Sequence, residues 1–429
     1  MIGFVGLSHL GLVYSLASAA RGFQVVAYEP DPDRCRQLAE GIFPIEEPGL
    51  QELFAANRAR LRYTADVSGL AQCDPVFVSL DVQTDDHDQS DLTSLRTLID
   101  AVWPHLSADS SIVLLSQVRP GFTRALAGSM SAGATQAASR IFYQVETLVF
   151  GAAVERALHP ERYIVGSARP ELPLPASYRA WLDAFGCPVL AMRYESAELA
   201  KVAINLFLVS SVSTTNTLAE LCEAVGADWS EIVPALRLDR RIGPHAYLSP
   251  GLGIAGGNLE RDLMTVQGLA AEHGTDARVV TAWQQNSAYR KDWALRTLHR
   301  EVLPLCPAPV IAVLGIAYKP DTHSTRNSPS LALLKSLTAW PVRAYDPRAR
   351  LDATAFPHVT MCDSALEAVK DVDVVALMTP WKELADLDPT LLRERMRGEF
   401  VLDPYGAWKE TVGRSPGLRY HRLGSRGAS

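Results

Sequence analysis

The sequence predicts an α/β protein with two doubly wound parallel-sheet domains joined by a long central helix. Three observations carry this. Short apolar runs alternate with helical stretches from residue 2 to about residue 190, and again from residue 309 onward, the pattern of strands covered by helices on both faces. A continuous helical pattern from Ser196 to Val225 lies between the two series. The 429 residues also exceed what one hydrophobic core ordinarily organises. The expected domains are therefore residues 1–190, 191–300 and 301–429.

In order along the chain, IGFVG (residues 2–6) is a buried strand entering a glycine-rich turn, and a helical pattern continues to about Arg21. FQVVAY (Phe23 to Tyr28) is a second strand, ending at Glu29. Further apolar runs at Pro75–Leu80, Ser111–Ser116 and Arg140–Tyr143 continue the series. The central helix places Ala197, Ala200, Ile204, Phe207, Leu208 and Val212 at the spacing of an apolar face and stops near Gly226. Helical signals continue to about Arg300, interrupted by the glycine-rich loop Ser249–Gly257. A new strand, VIAVLG, starts after Pro309, with others near Val342–Tyr345, Val372–Met378 and Phe400–Leu402. The polar tail Arg414–Ser429 reads as loosely ordered.

Composition narrows the function classes. A net charge of -7 argues against a nucleic-acid or anionic-membrane partner, since such surfaces recruit a basic excess. No run approaches the ~20 uninterrupted apolar residues of a membrane span. The apolar N-terminus lacks the positive lead-in of a signal peptide and runs straight into structural glycines. The six cysteines are scattered, without a C-x-x-C pair, so neither a disulfide framework nor a metal site is expected. The expected location is the cytoplasm.

The turn GLSHLG (Gly6 to Gly11) is G-x-S-x-x-G, with Ser8 where the dinucleotide fingerprint has its middle glycine. Gly6 permits the tight turn and Gly11 the close approach of helix to strand. The helix N-terminus then offers free N–H groups and its positive dipole end to a pyrophosphate. Glu29, at the end of the second strand, is placed to accept both ribose hydroxyls and would repel a 2′-phosphate. Together these predict a Rossmann-like domain that binds NAD rather than NADP.

Four later segments carry a resemblance to one family. GIFPIEEPGL comes after the second strand; ESAELAKVAINLFL contains Glu198, Lys201 and Asn205; DRRIGPHAYLSPGLGIAGGNLERD spans the glycine-rich loop; and VLGIAYKPDTHSTRNSPS opens the last domain, with YDP at Tyr345–Pro347. In these the chain resembles the nucleotide-sugar dehydrogenases (UDP-glucose/GDP-mannose dehydrogenases) over almost its whole length. The resemblance implies NAD as cofactor, a nucleotide-linked sugar as substrate with UDP favoured, a second Rossmann-like domain for the nucleotide, and a homodimer built on the helical middle domain. It implies that Lys201 stabilises alkoxide character at the reacting oxygen, that Asn205 and Asp262 polarise the substrate hydroxyl or position a water, with Asp262 able to serve as general base, and that Glu146 is the acid/base of the hydrolysis step. Arg241 would reach the nucleotide phosphates across a dimer. Lys319 would lie on the substrate side, with Gly253 and Gly256 letting backbone N–H groups approach the sugar. Arg326, with Arg261 as a second candidate, would contact the NAD pyrophosphate. No metal is implied.

The sequence departs from the family where the second oxidation is performed. Family members capture the first-formed aldehyde with a cysteine thiolate, since a second hydride leaves only from a tetrahedral carbon. Anchored on Gly253, Gly256 and Asp262, the cysteine position is Asn258, and the proline two residues on is Glu260. A carboxamide is not a nucleophile. The family's second acid is Phe150, its site threonine is Gln117 within Ser116–Val118, its V-P-T-P stretch is Leu80, Asp81, Val82, Gln83, and a further helix lysine is Ser211. The expected reaction is one oxidation, ending at an aldehyde, its hydrate or a ketone. The alternatives are a non-catalytic homologue that binds NAD and nucleotide sugar, and a redox-neutral enzyme using bound NAD transiently.

Overall fold

The computed structural model describes residues 1–82, 91–130 and 140–426, and its chain divides into two compact units, Met1–Ile204 and Asn205–Ser429. The first is built on eight strands: β1 (Ile2–Val5), β2 (Val25–Tyr28), β3 (Leu61–Thr64), β4 (Val76–Val78), β5 (Ile112–Leu114), β6 (Ile141–Gln144), β7 (Tyr163–Ser167) and β8 (Val189–Arg193). Their order is β3-β2-β1-β4-β5-β6-β7-β8, parallel except for the β6–β7 pair. β1, β4, β5, β6 and β7 are buried throughout because apolar clusters pack on both faces of the sheet, which is why β1, β4 and β5 are unbroken apolar runs and β6 and β7 turn polar only at their ends. β1 neighbours both β2 and β4, so the chain reverses its winding there. Ligands of such sheets bind outside the strand ends at this point.

The second unit repeats the plan with six parallel strands in the order β11-β10-β9-β12-β13-β14. These are β9 (Ile311–Leu314), β10 (Val342–Tyr345), β11 (Val359–Met361), β12 (Val374–Leu377), β13 (Phe400–Leu402) and β14 (Arg419–His421). β9 is flanked by β10 and β12 and marks the corresponding reversal. Gly315, just beyond β9, has φ +90°, and a Cβ there would lie 2.4 Å from that of Thr379. Asp346, fully buried after β10, accepts the N–H groups of Ile316 (2.6 Å) and Ala317 (2.9 Å) and fixes the same turn.

Two expectations are corrected. Through Arg426, the last described residue, the tail is not loose: β14 closes the second sheet, the buried Tyr420 donates to Asp403 at 2.6 Å, and Ser425 bridges to Asp228. The segment is polar in sequence because it is an edge strand. The expected face of the central helix also holds only in part: Ala197 is buried and Ala200 and Ile204 pack against the first unit's core, but the face does not continue through Phe207. The helix runs Tyr194–Val225, across the division between the units, and its buried positions include Ala197, Val202, Val209, Asn216 and Ala219, while Phe207 is 77 % exposed. A stretch apolar nearly all round does not show which stripe is inside. By length and composition alone this helix would also cross a bilayer, with a third of its most apolar window buried.

Candidate active site

In the first unit the dinucleotide turn is shaped as the sequence requires. Gly6 has φ +80°, and a Cβ would sit 2.8 Å from the Leu80 nitrogen. A Cβ on Gly11 would lie 2.5 Å from the Gly6 carbonyl oxygen, so close helix–strand packing excludes any side chain. Ser8 donates to the Ser79 carbonyl at 2.8 Å and accepts the Asp81 N–H at 3.1 Å, so its hydroxyl ties the turn to the end of β4. The helix α1 (His9–Ala20) starts immediately after. Glu29 is buried at the end of β2, 3.3 Å from Arg34, whose guanidinium also donates to the Leu7 carbonyl at 2.9 Å. Turn, helix end and carboxylate fit an NAD dinucleotide. One group works against it: the Asp81 carboxylate accepts the first N–H of α1, from His9, at 3.2 Å, where a phosphate would otherwise be received.

The His9 ring makes a contact that sequence reasoning missed. Its Nε2 is 2.8 Å from the Glu47 carboxylate, and both side chains are buried. Glu47 also accepts the Gly151 N–H at 3.0 Å and the Ala153 N–H at 3.4 Å. Phe150 stacks on the His9 ring at 4.1 Å. The pair thus pins the segment Glu146–Ala153 against the dinucleotide turn. The available signal was Glu47 within GIFPIEEPGL; the partner 38 residues away is not written in any local pattern.

Glu146 lies beyond β6. Its carboxylate is 3.7 Å from Lys201 Nζ, and Lys201 donates to the Glu146 carbonyl at 2.7 Å. Burial pushes the Glu146 carboxyl above the usual carboxylate range; Lys201 and the Leu148 N–H oppose this, while Asp81 adds to it. Glu198, on the same helix, is structural: it accepts the N–H groups of Gly121 (2.6 Å) and Thr123 (2.8 Å). The Ser116 hydroxyl is spent on the Leu80 carbonyl at 2.6 Å. Gln83 lies outside the described residues.

The second unit supplies the other half of the candidate set. Asn205 donates to the Asp262 carboxylate, which is 1 % exposed, and Arg261 is buried with its Nε 3.8 Å from Asp262. Arg261 therefore sits beside Asp262 within this unit. The loop before them is held from three sides. Gly251 donates to Asn216 at 2.8 Å and Ile254 to the Ser287 hydroxyl at 2.7 Å, while Asn327 donates to the Gly256 carbonyl at 2.9 Å. Gly253 (φ +80°) would place a Cβ 2.4 Å from the Ser287 carbonyl oxygen, and Gly256 (φ +84°) one at 3.1 Å from the Tyr318 ring. Arg326 packs along Gly257 and its carbonyl accepts the Gly256 N–H at 3.2 Å. Lys319 lies 5.8 Å above the Tyr318 ring. Asn258 is exposed and is the first residue of the sixteen-residue helix Asn258–His273, where free N–H groups and the dipole favour negative charge. Arg241 extends into solvent with Asp239 as its partner at 2.6 Å, away from the other candidates of this unit.

Comparison with known proteins matches this division of labour. The NAD binding domain of the UDP-glucose/GDP-mannose dehydrogenase family matches residues 1–176, its central domain residues 195–288 and its UDP binding domain residues 312–410. The UDP-glucose 6-dehydrogenase of Pseudomonas aeruginosa is 30 % identical over 417 residues, covering 93 % of this chain and 92 % of that protein. The chain belongs to the UDP-glucose/GDP-mannose dehydrogenase family. It is, as a member, an NAD-dependent nucleotide-sugar dehydrogenase acting on a CH–OH group. The UDP-glucose 6-dehydrogenase TuaD of Bacillus subtilis is 28 % identical over 437 residues, 99 % of this chain and 93 % of its own. Among solved structures, a UDP-glucose dehydrogenase from Pyrobaculum islandicum superposes with a TM-score of 0.83 at 25 % identity, covering 99 % and 97 % of the two chains. A UDP-D-ManNAc dehydrogenase from Pyrococcus horikoshii shares the fold, with a TM-score of 0.81 at 22 % identity over 99 % of each chain.

Proposed function

We propose that this dehydrogenase oxidises a UDP-linked sugar once, from CH–OH to an aldehyde, its hydrate or a ketone, and releases it at that level. Asn258 carries the reading. The position that presents the family's thiol presents a carboxamide, at an exposed helix N-terminus that favours an oxyanion but offers no nucleophile. Bound NAD supplies the acceptor for the hydride that leaves the carbinol carbon. The hydroxyl proton passes to a carboxylate as the C=O bond forms, and Glu146, with its raised proton affinity, suits that task near neutral pH. Lys201, anchored on the Glu146 carbonyl, stabilises the developing alkoxide. The Asn205–Asp262 pair orients the reacting oxygen, with Asn258 as a further donor toward it. Lys319 and, from a second copy of the chain, Arg241 take the nucleotide phosphates. The exposed Phe207, Leu221 and Val225 on the central helix and Leu238 beyond it support such a dimer.

The test is stoichiometric: purified protein, NAD and a panel of UDP- and GDP-sugars, counting NADH per sugar consumed and weighing the product. One NADH and an aldehyde or ketone is expected. Two NADH and a uronic acid would overturn the single-step reading. An isomerised sugar without net NADH would make the enzyme redox-neutral. Sugars that bind without reacting would establish the binding-only alternative.

A further inference from the structure

The second unit holds a cavity that none of this chemistry uses. It has a volume of about 560 Å³ and lies along β13 and β14 and the last turns of the central helix. That is apart from the crevice beyond β9 and β12 where the nucleotide half of such a sheet binds its ligand. Its size falls within the range of small-molecule sites. Glu220 and Glu223 contribute carboxylates from the helix; Arg300, and Arg419 with Arg422 at β14, contribute guanidinium groups, each also paired with a carboxylate (Glu301, Glu399 and Asp228).

The wall also carries polar atoms with no partner among the described residues. The Thr297 hydroxyl, in a residue 1 % exposed, lines the cavity and makes no hydrogen bond. His421 Nε2 is buried, lines the cavity and is likewise unpaired. Burial, helped by Arg300 and Arg419 against Glu301, holds that imidazole below its usual pKa, so it offers a neutral ring nitrogen. Behind the wall Arg290, 0 % exposed, sits 3.0 Å from Glu220 and 3.9 Å from Glu223 without a well-formed hydrogen bond from any of its nitrogens. Buried polar groups in native proteins are ordinarily satisfied, and a group of orphans around one cavity points to a missing polar occupant.

The chemistry of the wall selects among occupants. Trp293 and Phe400 reach the cavity but are only 3 % and 5 % exposed, so neither offers a ring face on which a base could stack. Three carboxylates (Glu301 is the third) stand against the arginines, so a highly charged polyanion would meet repulsion as well as attraction. A ligand with one anionic head and several hydroxyls satisfies both halves. The guanidinium groups take the oxyanion; Glu220 and Glu223 accept from hydroxyls, and Thr297 and His421 complete the set. We propose that this cavity binds a sugar phosphate, as a site separate from that of the nucleotide sugar.

The test is calorimetric titration of the full-length protein, saturated with NAD and UDP, with α-D-glucose 1-phosphate. Inorganic phosphate and glucose serve as comparison probes. One saturable site per chain is expected, with a Kd on the order of 1 mM or tighter. It should weaken at least tenfold in both Thr297→Val and Arg419→Gln, while NAD and UDP affinities stay unchanged. Thr297→Val is nearly isosteric and Arg419 is half-exposed, so one of the two folds even if the other does not. No saturable binding by calorimetry and by ligand-observed NMR overturns the proposal. Equal binding by wild type and a folded variant overturns it too. Inorganic phosphate binding as tightly as the sugar phosphate would refute the role given to the carboxylates, Thr297 and His421.

Discussion

Replacing Asp81 by asparagine should tighten NAD binding. The Asp81 carboxylate accepts the first N–H of α1 at 3.2 Å and its own N–H is held by Ser8 at 3.1 Å, so its charge stays at the helix end that receives a pyrophosphate. A phosphate bound by the same N–H groups comes within roughly 5 Å of it. At an effective dielectric between about 20 and 80, that proximity opposes binding by about 0.8–3 kcal/mol. Asp81 is exposed, which places the effect at the low end, about 1 kcal/mol or a roughly fivefold lower Kd in Asp81→Asn. Asparagine keeps an oxygen for the His9 N–H, so the turn should survive. Fluorescence titration with NADH and calorimetry with NAD measure the change. A second readout is independent of affinity. Asp81 raises the proton affinity of Glu146, so the variant should move the acid limb of its pH–rate profile to lower pH. Unchanged or weaker cofactor binding in a folded variant would refute the reasoning, because the carboxylate would then not oppose the dinucleotide.

Two other perturbations test the remaining halves of the site. In Asn258→Cys the thiol sits at the exposed start of a sixteen-residue helix, where the dipole lowers its pKa. It should add to the aldehyde, support a second oxidation and accumulate as a covalent acyl-enzyme visible by intact mass, because on the proposed reading Phe150 and Gln117 supply neither the acid nor the hydroxyl that hydrolysis uses. Unchanged NADH stoichiometry with no adduct would show that residue 258 does not face the carbonyl. In Glu146→Gln the buried carboxyl is removed. Its native pKa is raised, so the folded chain binds that proton more tightly than the unfolded one. The stabilisation is present below the unfolded value of about 4.3 and is lost as pH rises through the native value. The variant should therefore gain Tm relative to wild type as pH rises above the unfolded value through the raised native one; a constant or shrinking difference counts against a raised pKa.

The parts of the fold legible in the sequence were those whose environment is uniform. β1, β4, β5, β9 and β12 are buried throughout, and their unbroken apolar runs showed it. β3 and β14 stand at the sheet edges, β3 with partly buried and exposed positions and β14 with Tyr420 alone buried, so their sequences resemble loops. Glycines were legible because backbone geometry demands them, as at Gly6 and Gly253, where a Cβ would collide with backbone. The central helix was legible in length but not in orientation, and Phe207 was assigned to the wrong side. What the local pattern could not contain is long-range pairing: His9 with Glu47, and Asp81 with the N–H of His9, join positions 38 and 72 residues apart.

The departures from the family argue for a retuned enzyme more than for decay. Under the proposed reading, Lys201, Glu146, Asn205 and Asp262 serve the first oxidation, and the structure keeps them in two hydrogen-bonded pairs rather than dispersed. Under the same reading, the positions of the thiol, the second acid and the threonine, which serve the second oxidation and the hydrolysis that completes it, hold Asn258, Phe150 and Gln117. The replacements are also fitted to their surroundings. Phe150 is not an acid simply lost; its ring stacks on His9, whose Nε2 holds the carboxylate that anchors the Glu146 segment. An acid introduced there would lose the aromatic stack and set a second negative charge near Glu47, raising the cost of the buried pair. Restoring an acid at position 150 should therefore weaken the dinucleotide turn, which makes hydrolysis of an acyl-enzyme hard to recover one residue at a time.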